Sequence, residues 1–185
     1  MNFNPHYDLI GKHALLSASK WSWLNYDEDR LRAAYERSIA KEHGTKLHDL
    51  AKQCIELKVK LPQSRKTLNS YVNDAIKYKM KPEQILFYSR NCFGTADAIT
   101  FKNGLLRIHD LKTGVVPAHM EQLWIYAALF CLEYEVNPKK INFELRIYQS
   151  DEVLVDTPDP EQIIDIENKI IDFDKFLSKI RLEEE

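Results

Sequence analysis

No CxxC pair occurs in the sequence. Its three cysteines, Cys54, Cys92 and Cys131, are odd in number and widely spaced, which argues against a disulfide framework and a cysteine zinc site. They read as small buried hydrophobes. No long apolar run is present: the longest, Ile125 to Leu132, is far short of a membrane span. The N-terminus, M-N-F-N-P-H-Y-D, lacks the basic and apolar regions of a signal peptide. These absences lead to the expectation of a cytoplasmic protein with no membrane partner. Internal repeats and low-complexity segments are missing too. Charge of one sign is not in excess either: 26 Lys and Arg face 28 Asp and Glu, a net −2, so the overall charge does not announce a nucleic-acid partner.

What is present is a soluble-type composition, 44% hydrophobic and 29% charged over 185 residues. That length suits one domain with a real core. The charge is unevenly spread. Seven bases (Lys58, Lys60, Arg65, Lys66, Lys77, Lys79 and Lys81) stand against Asp74 alone between Lys58 and Lys81, and twelve acids against four bases follow Ser150. This asymmetry permits a basic surface on an acidic protein. It is equally what an ordinary solvated surface would show.

The periodicity gives an order of elements. Residues 1–13 look irregular, and a serine of Ser17-Ala18-Ser19 is placed to cap a helix over the Lys20–Leu24 region. A helix runs from about Glu28 to Leu57, with His43-Gly44 as a place to break or kink it; His48 lies one turn beyond Gly44. Thr67 to about Tyr78 is helical and ends at Lys81-Pro82-Glu83. Ile85–Ser89 reads as a short strand, followed by strands at about 94–101 and 105–112. A helix spans about 118–134. Ile141–Gln149 alternates, with Ile141, Phe143, Leu145 and Ile147 inward and Asn142, Glu144 and Arg146 outward. Glu152–Asp156 pairs with it. The last helix runs from about Glu161 to Leu182, its apolar residues at 3-4-3-4-3 spacing, as in a coiled-coil seam or a helix packed on its own domain. The pattern is α/β: a mixed sheet flanked by helices.

Asn103-Gly104, between two alternating runs, is a strong hairpin signal. With the loop confined to those two residues, Lys102 faces Leu105 and Asp97 falls opposite Asp110. Opposed residues have Cβ atoms about 4.5–5.5 Å apart, so paired carboxylates there demand a cation. Lys112 projects from the same face as Asp110. Two acids and a lysine at the end of a hairpin fit a divalent-metal site for phosphodiester hydrolysis. Mg²⁺ takes one or two carboxylates and keeps waters and phosphate in its other positions; an imidazole from His48 would tilt the choice toward Mn²⁺. Lys112, beside two carboxylates that favour its ammonium form, is expected to orient water and stabilise charge. Taken singly, each element has a plainer reading: His48 as a structural histidine, D-x-K as a surface ion pair, Gln122 and Tyr126 as helix surface and core edge. The opposition of Asp97 and Asp110 makes the combination more specific than its parts.

G-T-K-L-H (44–48), G-T-A-D (94–97), D-L-K (110–112) and Q-L-W-I-Y (122–126), in that order, resemble the motifs of the PD-(D/E)xK nuclease superfamily. The branch they resemble comprises RecB-type nuclease domains, CRISPR-associated DNA-end-processing nucleases and phage-encoded relatives. L-S-A-S (16–19) is similar to their N-terminal segment. The resemblance implies a restriction-endonuclease-like mixed central sheet flanked by helices, in a single domain over 1–185 with its core at about 15–150 and a C-terminal helix at 158–185. It implies that His48, Asp97, Asp110 and the Leu111 carbonyl hold Mg²⁺ or Mn²⁺. Lys112 becomes the catalytic lysine, with Gln122 and Tyr126 supporting the site or contacting the DNA backbone.

Many of these relatives hold an iron–sulfur cluster on four cysteines. Here Asn25-Tyr26 stands where Cys-Pro often follows, and no cysteine lies beyond Cys131, so no cluster is expected. The expectation is a metal-dependent deoxyribonuclease, an exonuclease acting at DNA ends or single strands in recombination, replication or repair, in the host cytoplasm if phage-encoded. The alternatives are a structure-specific endonuclease, a DNA-binding or regulatory module with a vestigial site, and an RNA substrate. Lys58, Lys60, Arg65, Lys66, Lys77, Lys79 and Lys81 are candidates for phosphate contact. There is no helicase-like segment, so unwinding would fall to a helicase or recombination-protein partner. The acidic C-terminal helix is one candidate interface for a homo-oligomer.

Overall fold

The computed structural model describes residues 6, 7, 11 and 14–184; the irregular stretch expected over 1–13 lies largely outside them. The chain divides into two compact units, Met1–Thr45 and Lys46–Glu185. In the first, Ala18–Asn25 is a 3₁₀ segment with a kink at Lys20, and Ser17 makes no side-chain cap. The expected capped helix is therefore replaced by a tighter, interrupted turn. The Ser17 carbonyl accepts both the Lys20 N–H at 3.0 Å and the Trp23 indole N–H at 2.8 Å.

Helix α1, Glu28–Leu57, runs without interruption. Gly44 does not break it; a single glycine costs only about 1 kcal/mol in a helix interior. Helix α2 follows at Thr67–Lys77. Its N-terminus is closed from far along the chain: the Asp151 carboxylate accepts from the Thr67 N–H at 2.7 Å and from its hydroxyl at 3.0 Å. Strands β1 (Lys81–Ser89), β2 (Cys92–Lys102) and β3 (Leu105–Leu111) come next, then α3 (Glu121–Glu133), β4 (Asn142–Gln149), β5 (Glu152–Asp156) and α4 (Pro160–Glu184).

The sheet order is β1-β2-β3-β4-β5. The β3–β4 pair, joined through α3, is parallel; the other pairs are antiparallel. This is an α/β fold with a mixed five-stranded sheet flanked by helices, consistent with the restriction-endonuclease-like class. The hairpin turn is the one the sequence implies, with φ of 53° at Asn103 and 73° at Gly104, both in the left-handed region that a two-residue loop of this kind requires. Lys102 pairs with Leu105 and Ala98 with His109.

β1 is longer than expected. Pro82 does not end the helix, which stops at Lys77 with Lys79 at φ of 56°; it lies inside the strand, paired with Ala98. β1 is an edge strand, where a residue without an N–H is tolerated.

Two cores flank the sheet. On one face Leu106, Ile108, Leu145 and Ile147 meet α3 and Ile163 of α4. α3 is apolar nearly all round because its far side is also covered. On the other face Ala98, Leu111 and Tyr148 meet Ala51, Cys54 and Ile55 of α1 and Tyr71, Val72 and Ala75 of α2. Glu144 and Arg146, expected to face outward, are half-covered on this second face. Arg146 donates to Asp74 of α2 at 3.0 Å and to the Tyr78 hydroxyl at 3.3 Å. Among the described residues no helix is long and apolar enough to cross a membrane.

Candidate active site

The sheet's alternation fails at one step, and the candidate site lies there. Ala98 packs in the α1–α2 core, while Ile99 and Ala96 both pack in the α3 core. Strict alternation would put Ile99 and Ala96 on opposite faces, so the pleat slips between them, at Asp97. On β1 the partner pairs run from Pro82–Ala98 to Gln84–Ala96, leaving Glu83 across from Asp97. Glu83 has φ of 50°, a left-handed conformation uncommon for a non-glycine residue and found often at functional sites. On the other side the β2–β3 pairs stop at Ala98–His109; one step further would be Asp97 and Asp110. There the Asp97 carboxylate accepts the Leu111 N–H at 2.8 Å. Glu83, Asp97 and Asp110 thus form a row across three adjacent strands.

His48 comes to this row from α1, its Nδ1 3.5 Å from Asp97 Oδ2. One donor atom each from His48, Glu83 and Asp97 lie within 4.8 Å of one another. One imidazole and two carboxylates suit Mn²⁺ or Mg²⁺, and the residues present fit such an ion. Burial, together with the nearby Asp110 carboxylate, pushes the Asp97 carboxyl up to about 6, against the Leu111 N–H and His48, which pull it down.

That value carries a prediction. Asp97 keeps its proton to about pH 6 in the fold, but only to its ordinary value of 3.8 when unfolded. Between those values the folded state binds more protons, so this group's contribution to stability falls as pH rises through that window. A divalent cation must displace the same proton, so its affinity should fall by about tenfold for each pH unit below 6. Thermal melts with and without Mn²⁺ should show a small increment at pH 5 and a larger, level one above pH 7. Equal increments at pH 5 and pH 8 would remove Asp97 from the ligand set.

Asp110 is only 2% exposed and is engaged elsewhere. Lys112 Nζ lies 3.1 Å from its Oδ1 and 3.0 Å from its Oδ2. Burial raises the Asp110 carboxyl, and Lys112 is the main influence lowering it. Lys112 also donates to Gln122 Oε1 at 2.8 Å, and Gln122 Nε2 donates to the Tyr126 hydroxyl at 3.0 Å. The Lys112 backbone is held as well, its N–H donating to the Tyr148 carbonyl at 2.9 Å beyond the end of β3. The four-residue spacing of Gln122 and Tyr126 on α3 thus serves one purpose: an amide relay that fixes the lysine from above.

Gly94 completes the relay. A Cβ at this position would sit 2.8 Å from Cε1 of Tyr126, so the tyrosine ring lies directly on the glycine. Gly94→Ala should shift the ring, loosen Gln122 and cost about 1–3 kcal/mol of stability by overpacking. Tyr126→Phe keeps the ring and removes only the hydroxyl. Comparing the melting temperatures of the two variants separates ring displacement from loss of the hydrogen bond; equal, negligible shifts would show that the contact does not matter.

The structure therefore brings together His48, Asp97, Asp110, Lys112, Gln122 and Tyr126, with Leu111 entering through its N–H. It adds Glu83, which sequence reasoning passed over as part of a helix stop. A signal was available: Glu83 lies across from Asp97 once β1 is extended back through Pro82. The seven bases fare differently. All are exposed, but only Lys66 lines the cleft of about 350 Å³ that Lys112 also lines. Lys77 instead lies over the Tyr78 ring, 5.2 Å from its centre. No protein-family model matches the chain, and neither does any curated protein.

Proposed function

We propose that the protein is a divalent-metal-dependent deoxyribonuclease that hydrolyses phosphodiester bonds at DNA ends, working in the cytoplasm in recombination, replication or repair. The observation that carries this reading is the meeting of two opposed functions at one slipped step of the sheet. A His48–Glu83–Asp97 donor set lies beside an Asp110–Lys112–Gln122 relay that holds an ammonium group in place.

In this reading His48, Glu83 and Asp97 would hold Mg²⁺ or Mn²⁺, with Asp110 beside them held by Lys112. The ion would supply a bound water of lowered pKa and polarise the phosphate. The protein's own residues do the positioning. Asp97 is held at its Oδ2 by the Leu111 N–H. Lys112, fixed by Asp110 and Gln122, holds its ammonium group where it would orient water or stabilise charge on the phosphate oxygens. Tyr126 and Gln122 limit the lysine's rotamers, so little reorganisation is needed at the transition state.

The test is incubation of linear and circular DNA, single- and double-stranded, with Mg²⁺, Mn²⁺ or chelator, alongside Asp110→Ala. Metal-dependent loss of linear forms only, abolished in the variant, is the expected result. Cutting of circles would replace the exonuclease with an endonuclease. Absence of cleavage in every form and metal would leave a binding module.

A further inference from the structure

Between β3 and α3 the chain passes through Thr113-Gly114-Val115-Val116-Pro117. Val115 is 91% exposed and Val116 77%. Scattered exposed hydrophobes are ordinary, but these two are adjacent and begin three residues beyond Lys112. The loop is also pinned. Gln149, at the end of β4, donates from Nε2 to the carbonyls of Gly114 and Val116, both at 2.7 Å. Its Oε1 accepts the Ala118 N–H at 3.1 Å. One amide thus binds the loop at three points, using both of its donors. Valine is stiff about χ1, so the pair presents a fixed apolar surface at small entropic cost.

Val115 lines the same cleft as Lys66 and Lys112. The cleft's carboxylate, Asp151, accepts from Thr67 and lies close enough to Lys66 to feel its charge. The cleft therefore sets two basic side chains, Lys66 near Asp151 and Lys112 held by Asp110 and Gln122, beside an apolar rim, and an anionic backbone can compete with those carboxylates for them. A nucleic-acid strand has this combination: phosphates at regular intervals and flat apolar bases to one side. Side chains of this kind can wedge between base steps.

We propose that this loop is an apolar wedge: Val115 and Val116 lie against the terminal bases of the DNA strand whose phosphates pass Lys66 and Lys112, and so open paired ends before cleavage. The proposal rests on the nuclease reading and adds a preference to it. Gln149 is a positioning residue, acting through the loop.

The test uses Val115→Thr/Val116→Thr, which keeps the branched shape at exposed positions and should leave the melting temperature unchanged. On linear duplex with fully paired blunt ends, kcat/KM should fall about tenfold, and on duplex with unpaired termini by less than about twofold. Gln149→Ala should show the same selectivity. A second readout needs no cleavage: with chelator present, 2-aminopurine at a blunt terminus should brighten when the wild-type protein binds, and brighten less with the double variant. Equal effects on both kinds of end, or no brightening with the wild type, would overturn the wedge while leaving a cleaving enzyme intact. Failure of the wild type to cleave either substrate with Mg²⁺ or Mn²⁺ would overturn the nuclease reading and the wedge with it.

Discussion

Lys112→Met should reduce DNA cleavage by about 10³-fold or more, and lower the melting temperature as well, since buried Asp110 loses its partner. Losing a single well-placed donor to developing charge costs about 10²–10³ in kcat. Lys112 should exceed that, because its loss also changes Asp110. That carboxyl is buried, and burial already raises its pKa; Lys112 is the main influence holding it down. Without the ammonium group Asp110 keeps its proton to higher pH and loses its value as a ligand. Methionine preserves the apolar stem, so the fold should survive. The donors His48, Glu83 and Asp97 are untouched, so the rise in melting temperature on adding Mn²⁺ should persist. The informative pair of measurements is therefore cleavage rate and metal-induced stabilisation on the same variant. Cleavage within tenfold of the wild type would show that Lys112 takes no part in the chemistry.

Asp74→Ala should unfold the protein at a markedly lower temperature. Asp74 Oδ2 accepts from Arg146 at 3.0 Å and from the Tyr148 hydroxyl at 2.8 Å. Tyr148 is fully buried and its hydroxyl lies 3.3 Å from His109 Nδ1. Removing the carboxylate leaves a buried hydroxyl without its acceptor, at about 1–3 kcal/mol, and a half-covered guanidinium with Glu144, 3.2 Å away, as its remaining carboxylate partner. Arg146 and Asp74 retain side-chain exposures of 18% and 30%, so solvent screening reduces the ion-pair part below the value for a fully buried pair. A total near 3 kcal/mol corresponds to a fall of about 6–12 °C for a chain of this size. Tyr148→Phe should cost less, since it removes donor and bulk polarity together. The double variant should be less destabilised than the sum of the two. Additive losses would mean that the hydroxyl and the carboxylate do not depend on each other.

His109 shows why part of this network was illegible. In sequence it sits beside Asp110 and gives no handle. In the fold it points to the opposite face, fully buried, with Nε2 unpartnered. Burial and the nearby arginines lower its pKa to about 3. A neutral imidazole there gives its Nδ1–H to Tyr148, and Tyr148 gives its proton to Asp74. This chain links β3, β4 and α2 through residues far apart in sequence, and no local spacing encodes it.

The hairpin was legible for the opposite reason. Asn103-Gly104 permits left-handed φ at both turn positions, and a two-residue turn leaves one register. Carried one step past the observed Ala98–His109 pair, that register sets Asp97 against Asp110. The four-residue spacing of Gln122 and Tyr126 fixed their common helix face in the same local way. The extent of β1 was not readable, because proline after a helix signals a stop as well as an edge strand. Glu83 went unnoticed with it. The basic residues were readable as charges but not as a surface, since sequence proximity does not decide which of them share a cleft.

What the sequence determined by itself was the α/β order, the hairpin register and the common helix face of Gln122 and Tyr126, because each depends on turn stereochemistry or a short period. The tertiary structure decided the rest. It brought Glu83 into the donor set, tied Asp110 to Lys112, laid Tyr126 on Gly94 and pinned the valine loop with Gln149. Each of these joins separate elements, and such contacts are fixed only when strands and helices pack and their side chains must share the same space.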